Sequence, residues 1–181
     1  GMIRDARRAL GRKDKRFSFE VFDCAKIPHK GCNFDLVIAN HVLFYCEDIP
    51  AVCNEIQRVL VPGGKLICST YGSHHMQEVS QLVQDFDNRI VLSADRLYER
   101  FGRENGADIL APYFSDISWE SYNDSLLVPD AEPLISYILS CHGNQNQYLL
   151  DKYTDFRGFV SRKTKDGFFI TKDAGIFLCE K

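Results

Sequence analysis

The feature that most constrains the fold is a strand–helix–strand pattern over residues 34–72. A continuous apolar run begins at Phe34 and ends at Ala39, which is typical of a strand that is covered on both faces in a parallel sheet. Apolar residues then recur at helical intervals over residues 49–60, and a second buried strand is predicted over residues 65–69. This βαβ unit predicts an α/β fold with parallel strands and a right-handed crossover.

The remaining elements are less regular, and their patterns are weaker. The chain is predicted to form further helices over residues 2–10, 76–86, 131–139 and 147–160, and strands over residues 17–22, 116–128 and 168–179. Ser93 is predicted to cap another helix that includes Leu97 and Phe101. The final segment is either one strand or a short strand pair that turns near residues 172–175.

Composition excludes several classes of protein. With 181 residues and 45% hydrophobic content, the chain is expected to form a single domain over residues 1–181. The net charge of −3 and the lack of a long Lys/Arg run argue against nucleic-acid binding. No apolar run approaches the length of a membrane span, so we expect a cytoplasmic protein that does not bind membranes. The seven cysteines lack paired metal-ligand spacing, and we expect reduced thiols and no metal site.

Residues 34–72 also carry a recognisable series of motifs. A Phe-Asp-x-Val strand is followed by a polar loop, an acidic helix start, Glu-x-x-Arg-Val-Leu, Pro-Gly-Gly and a second strand. This series resembles the second half of the core of class I S-adenosylmethionine-dependent methyltransferases of the small-molecule type. The resemblance implies a Rossmann-like sheet, mostly parallel with an antiparallel last strand, in the family order 3-2-1-4-5-7-6. It also implies S-adenosylmethionine as the cofactor.

The resemblance assigns cofactor-binding residues to the ends of the first two predicted strands. The acidic residue that faces the adenine corresponds to Asp23, next to Cys24. Asn40 and His41 follow the next strand, where loops diverge and leave a crevice in open α/β sheets. Each residue also has a simpler interpretation, because Asp23 can cap a turn and the other polar groups can bond the local backbone.

The acceptor side is assigned to the loop after the strand over residues 65–69. Tyr71 and His74 are the predicted substrate-binding residues. His74 and His75 are the candidate catalytic residues, since either imidazole could act as a general base toward an acceptor hydroxyl or amine. The alternative is that each histidine bonds the backbone at the start of a helix.

One family element is missing from this sequence. The family places a glycine-rich turn after its first strand, but no two of the twelve glycines here have Gly-x-Gly spacing. The sequence corresponds to the family from its third strand onward. We therefore expect a domain that is incomplete at its N-terminus, a sheet without the first two family strands, and a chain that is inactive or weakly active alone.

The missing strands would leave an apolar edge along the strand from Phe34 to Ala39. Either residues 17–22 pair with this edge, or the edges of two chains meet in a homodimer, which we favour. Three functions remain open: a methyltransferase-like protein for a small-molecule acceptor, a non-catalytic dimeric interaction module, and a small-ligand binder derived from the same fold.

Overall fold

The computed structural model describes residues 2–10, 14–92, 96–141 and 146–181. The strands are β1 (Phe34–Asn40), β2 (Leu60–Tyr71), β3 (Ser115–Val128) and β4 (Phe168–Glu180). The helices are α1 (Met2–Leu10), α2 (Ile49–Val59), α3 (Gln77–Phe86), α4 (Leu97–Arg100), α5 (Gly106–Leu110), α6 (Ala131–Ser140), α7 (Asn146–Asp151) and α8 (Tyr153–Thr164). A short 3₁₀ turn, Leu43–Tyr45, lies between β1 and α2.

The strands form one sheet in the order β1-β2-β4-β3. β1 and β2 are parallel, and β4 is antiparallel to both of its neighbours, β2 and β3. β1, β2 and β3 therefore share one direction, and the last strand of the chain opposes them. This arrangement reproduces the 4-5-7-6 end of the predicted order, and it confirms the α/β, Rossmann-like fold class.

The βαβ unit forms as its local signals predict. The Asp48 side chain accepts a hydrogen bond from the Ala51 N–H (2.9 Å) and begins α2. The helix ends at Val59, and the chain enters β2 directly at Leu60, earlier than the predicted start of that strand. The Pro-Gly-Gly segment lies inside β2 as an irregularity in its pairing with β1, and Gly63 adopts the left-handed φ of 76° that glycine tolerates.

The predicted strand over residues 17–22 is wrong. This segment forms no ladder with any described residue, and Val21 is 88% exposed. In the described part of the chain, β1 pairs with β2 only, so the proposed pairing of this segment with residues 34–39 is also wrong. An alternating apolar pattern becomes a strand only where a neighbouring strand satisfies its backbone N–H and C=O groups, and no described strand pairs with this segment.

The second half of the chain differs from prediction in two places. The expected helix over residues 147–160 is divided into α7 and α8 at Lys152, whose φ of −120° and ψ of 30° are not helical. β4 is one continuous strand that pairs along its length with β3, so the alternative turn near residues 172–175 is wrong. Ser93, the predicted cap, lies outside the described residues.

Two hydrophobic clusters pack against the sheet. The first joins α2, the ends of β1 and β2, and residues of β4 such as Phe177. The second joins α3, α6 and α8 with Ile170 of β4. Because successive side chains of a strand point to opposite faces, Ile170 and Phe177 place the two clusters on opposite faces of β4. The loops after β1 and β2 emerge at one end of this core.

Candidate functional site

The carboxyl ends of β1 and β2 meet side by side. Asn40 at the end of β1 is paired with Ser69 of β2. The next residue, His41, has a positive φ of 50°, and its backbone N–H lies 3.2 Å from Ser69 O and 3.0 Å from Ser69 Oγ. These contacts turn the loop after β1 across the end of β2. They bring the His41 ring to 6.4 Å from the Tyr71 ring.

Aromatic rings surround Tyr71 at the end of β2. The ring centroids of His75, Phe44 and Tyr98 lie 5.1, 5.5 and 6.3 Å from that of Tyr71. Burial, with smaller contributions from nearby tyrosines, raises the pKa of Tyr71 above its ordinary value. The Tyr71 hydroxyl is therefore neutral at neutral pH. The end of β2 therefore has an aromatic surface with one uncharged polar group, the Tyr71 hydroxyl.

His75 supplies the second polar group at this aromatic surface. Its Nδ1 is buried and has no hydrogen-bond partner among the described residues. Burial lowers the pKa of His75, and nearby Asp173 partly offsets this effect. The imidazole is consequently neutral at neutral pH. It can accept a proton or a hydrogen bond at whichever nitrogen is unprotonated.

Three clefts share His75. A cleft of about 280 Å³ is lined by Tyr71, His75 and Tyr98 among others, and an adjoining cleft of about 240 Å³ also includes Tyr71 and His75. A third, of about 400 Å³, is lined by both His41 and His75. The structure therefore brings the predicted residues Tyr71, His41 and His75 together around clefts that share His75.

His74 has a different environment from its neighbour. Its side chain is 69% exposed, and it lines none of these three clefts. His74 Nδ1 lies 3.9 Å from Asp173 Oδ2 and 3.3 Å from Ser73 Oγ. The two adjacent histidines thus face different surroundings, and only His75 contacts the cleft.

The predicted cofactor residues of the first segment lie in a turn. Asp23 Oδ1 accepts a hydrogen bond from the Ala25 N–H (2.9 Å), so its carboxylate caps the turn as the simpler interpretation expected. Cys24 is half-buried, and its sulfur lies 3.4 Å from that of Cys46. Burial, the hydrogen bond with Cys24 and nearby charges raise the pKa of Cys46 to about 12, which keeps it a thiol.

Sequence reasoning missed three charged residues beside the cleft. Arg103 Nη1 donates to Asp173 Oδ1 (2.8 Å), and Glu104 Oε1 accepts from both the N–H and the hydroxyl of Ser73 (3.0 Å each). The sequence pattern allowed a turn at Asp173, so it did not predict that this residue lies on a strand beside Gly72. The sequence around Glu104 carries no motif, so only the fold reveals this group.

Comparison with known proteins shows what the chain is similar to. Residues 1–68 match the family described as the methyltransferase domain. The chain is 32% identical over 90 residues to the biotin biosynthesis bifunctional protein BioHC of Saccharophagus degradans, a match that covers 50% of this chain and 16% of that protein. It is 28% identical over 98 residues to the malonyl-[acyl-carrier protein] O-methyltransferase of a Methylovorus species, with 51% and 33% covered. The chain thus spans a third or less of these two relatives.

Solved structures share the fold. A proposed methyltransferase from Bacillus halodurans superposes with a TM-score of 0.60 at 12% identity, with 99% of this chain and 78% of that chain covered. Phosphoethanolamine N-methyltransferase 2 of Haemonchus contortus, in complex with S-adenosyl-L-methionine, gives 0.52 at 20% identity, with 96% and 39% covered. At these identities the likeness concerns the fold alone.

The sheet order and the clefts at the carboxyl ends of β1 and β2 define an open α/β fold. The family match over residues 1–68, the curated relatives and the shared fold make the chain similar to the class I S-adenosylmethionine-dependent methyltransferases. S-adenosylmethionine is the cofactor that this family resemblance implies. Within the described residues, no helix is long and apolar enough to cross a membrane.

Two of the predicted cofactor residues carry polar groups of the kind that bind adenosine. Asp23 and Asn40 are exposed. They offer a carboxylate and an amide, the groups that pair with ribose hydroxyls and adenine edges. His41 follows Asn40 in the sequence and lines the cleft of about 400 Å³.

Proposed function

We propose that the chain is an S-adenosylmethionine-dependent methyltransferase-like protein for a small-molecule acceptor, with its acceptor beside Tyr71 and His75. The observation that carries this proposal is the cleft at the end of β2. There the Tyr71 ring lies 5.1 Å from the ring of a half-buried His75, whose Nδ1 lacks a partner among the described residues. Its volume of about 280 Å³ lies just below the range of about 300–1,000 Å³ for small-molecule pockets. That size supports a small acceptor.

The chemistry divides between the cofactor and the protein. S-adenosylmethionine supplies an electrophilic methyl group on a sulfonium when it is bound. We propose that Asp23, Cys24, Asn40 and His41 hold its adenosine half, and that Tyr71 shields the acceptor from water. His75 accepts the proton or hydrogen bond of the acceptor, and it replaces His74 in this role because only His75 lines the cleft.

We further propose that this chain alone binds the cofactor weakly and is inactive or weakly active. The support is the sequence itself, in which no two glycines have the Gly-x-Gly spacing that lets a backbone approach the methionine half of the ligand. Methyl transfer depends on the alignment of nucleophile, methyl and sulfur, so a loosely held cofactor reacts slowly.

Calorimetric titration of the chain with S-adenosylmethionine tests this proposal. We expect weak binding that saturates only at millimolar ligand, and we expect Asn40→Ala to weaken it further. Asn54→Ala, at an exposed position on α2, is the matched control and should leave binding unchanged. No heat at millimolar ligand would contradict the cofactor assignment. Micromolar affinity would contradict the proposed weakness of this chain.

A specific observation favours a second role, as a homodimeric interaction module. In β1, Leu36 is 45% exposed and Ile38 58% exposed, and β1 is an edge of the described sheet. We propose that two copies pair through the edge from Phe34 to Ala39, because a two-fold axis there would join two identical apolar strands antiparallel. The mass in solution at micromolar concentration tests this pairing, and a monomeric mass would contradict it.

A cytoplasmic location is part of the proposal. Six cysteines are free thiols in the structure: Cys24, the exposed Cys32, Cys46, Cys53, Cys68 and Cys179. Free thiols are typical of proteins that work in a reducing compartment. Localisation of a fluorescently tagged chain tests this point, and a secreted product would contradict it.

A further inference from the structure

Three potential metal ligands converge beside Gly72, next to the cleft. His74 follows β2, Glu104 lies just before α5, and Asp173 belongs to β4. One donor atom of each side chain lies within 4.8 Å of the others. The three groups come from distant parts of the sequence, and the fold alone brings them together.

Asp173 gives independent evidence that this cluster faces a ligand. Its side chain is only 9% exposed, and Oδ1 accepts a hydrogen bond from Arg103 Nη1 at 2.8 Å. Its other oxygen, Oδ2, is buried without a hydrogen-bond partner in the described ranges, and it faces His74 Nδ1 at 3.9 Å. A buried carboxylate oxygen without a partner is costly, so a ligand at this position would be stabilising.

Gly72 makes the convergence possible. A Cβ at this residue would lie 2.3 Å from Asp173 Oδ2 and 2.9 Å from Glu104 Oε1, so a side chain here would displace the two carboxylates. The Gly72 N–H also donates to Asp173 O at 2.9 Å, which fixes the strand that carries the carboxylate. Glu104 is oriented in turn by the two hydrogen bonds from Ser73. Oriented donors of this kind are typical of metal sites.

We propose that His74 Nδ1, a Glu104 carboxylate oxygen and Asp173 Oδ2 bind a divalent first-row transition-metal ion. Two carboxylates against one arginine leave the site with a net charge of about −1 when the imidazole is neutral. One nitrogen and two oxygen donors suit Mn²⁺, Fe²⁺ or Zn²⁺. Because His74 is 69% exposed, its ring can move the short distance that coordination requires.

Titration with Mn²⁺ alone, followed by the electron paramagnetic resonance signal of free Mn²⁺, tests this site. Mn²⁺ is the suitable probe because it prefers oxygen and nitrogen ligands, whereas Zn²⁺ would also bind the free thiols. We expect one Mn²⁺ per chain. The titration needs neither cofactor nor acceptor, so its outcome is independent of the proposed methyl transfer.

Matched variants locate the ion. His74→Ala changes an exposed side chain and should weaken Mn²⁺ binding by about ten-fold or more, as should Asp173→Asn, whose fold is checked by circular dichroism. Glu132→Gln, at an exposed carboxylate that pairs with Arg157, should bind like the parent chain. Absence of saturable Mn²⁺ binding, or equal affinity in the parent and His74→Ala, would overturn the proposal.

Discussion

The neighbouring strands β1 and β2 have similar apolar sequences but very different environments. In β2, Leu66 and Cys68 are completely buried, whereas in β1 Leu36 and Ile38 are 45% and 58% exposed. β2 lies between two strands, and β1 has one neighbour in the described sheet. The burial of an apolar strand therefore depends on its neighbours, and its own composition does not ensure that burial.

The ends of β1 and β2, which form the candidate site, also differ in exposure. Tyr71, at the end of β2, is enclosed by aromatic rings, while Asn40, at the end of β1, is exposed. The proposed acceptor side is thus supported by packed neighbours. The proposed cofactor side is more open, in agreement with weak cofactor binding by this chain.

The largest expected effect concerns association through β1. We expect the parent chain to sediment as a dimer and Ile38→Lys to sediment as a monomer, because a charge at the centre of an apolar edge opposes strand pairing. Val21→Lys is the control, since Val21 is also exposed but lies outside the edge. Analytical ultracentrifugation distinguishes these outcomes, and a monomeric parent chain would contradict the proposed dimer.

Shortening one leucine side chain in each of the two strands should have different effects on stability. Leu66→Ala removes a fully buried side chain and should lower the free energy of unfolding by about 2–5 kcal/mol. Leu36→Ala, at the half-exposed edge, should cost less than about 1 kcal/mol. Urea unfolding measures both. Equal losses would show that β1 is as well covered as β2.

A smaller effect is expected at the hydrogen bond that joins β2 to the segment after α4. Thr70 is fully buried, and its hydroxyl donates to Phe101 O at 2.7 Å. Thr70→Val leaves that carbonyl oxygen without its partner and should cost about 1–3 kcal/mol. Ser69→Ala, at a partly exposed position, should cost less. A neutral Thr70→Val variant would show that another donor replaces the hydroxyl.

The smallest effect concerns pH and the loop before β1. Glu55 binds Arg58 and accepts from the Ile27 N–H, and hydrogen bonding to Arg58 is the main cause that lowers its pKa to about 2. A lowered folded-state pKa contributes stability that is complete above the ordinary glutamate value of 4.5 and is lost as the pH falls toward 2. As the pH falls from 4.5 to 2, the free energy of unfolding of Glu55→Gln should therefore decrease less than that of the parent chain.

Urea unfolding at a series of pH values checks this expectation. Glu47→Gln, at an exposed carboxylate, is the control and should follow the parent curve. If Glu55→Gln shows the same acid dependence as the parent, the ion pair does not hold the loop in solution.

Local patterns predicted the βαβ unit well, because its signals act over a few residues. The cap at Asp48 and the helical apolar spacing of α2 each determine structure where they occur. The strand predicted over residues 17–22 does not form, because a strand also needs a partner strand, which its own sequence pattern does not provide. The site was partly predictable for the same reason. Tyr71 and His75 follow a recognisable strand, whereas Glu104 and Asp173 approach it only through the tertiary fold.

The most direct test of the account compares the two halves of the cofactor by nuclear magnetic resonance. Adenosine and methionine are titrated separately into the isotope-labelled chain, and the amide signals of Asn40 and His41 are followed. The account predicts that adenosine shifts these signals and that methionine does not. Absence of any shift with adenosine, or shifts confined to residues away from the ends of β1 and β2, would contradict it.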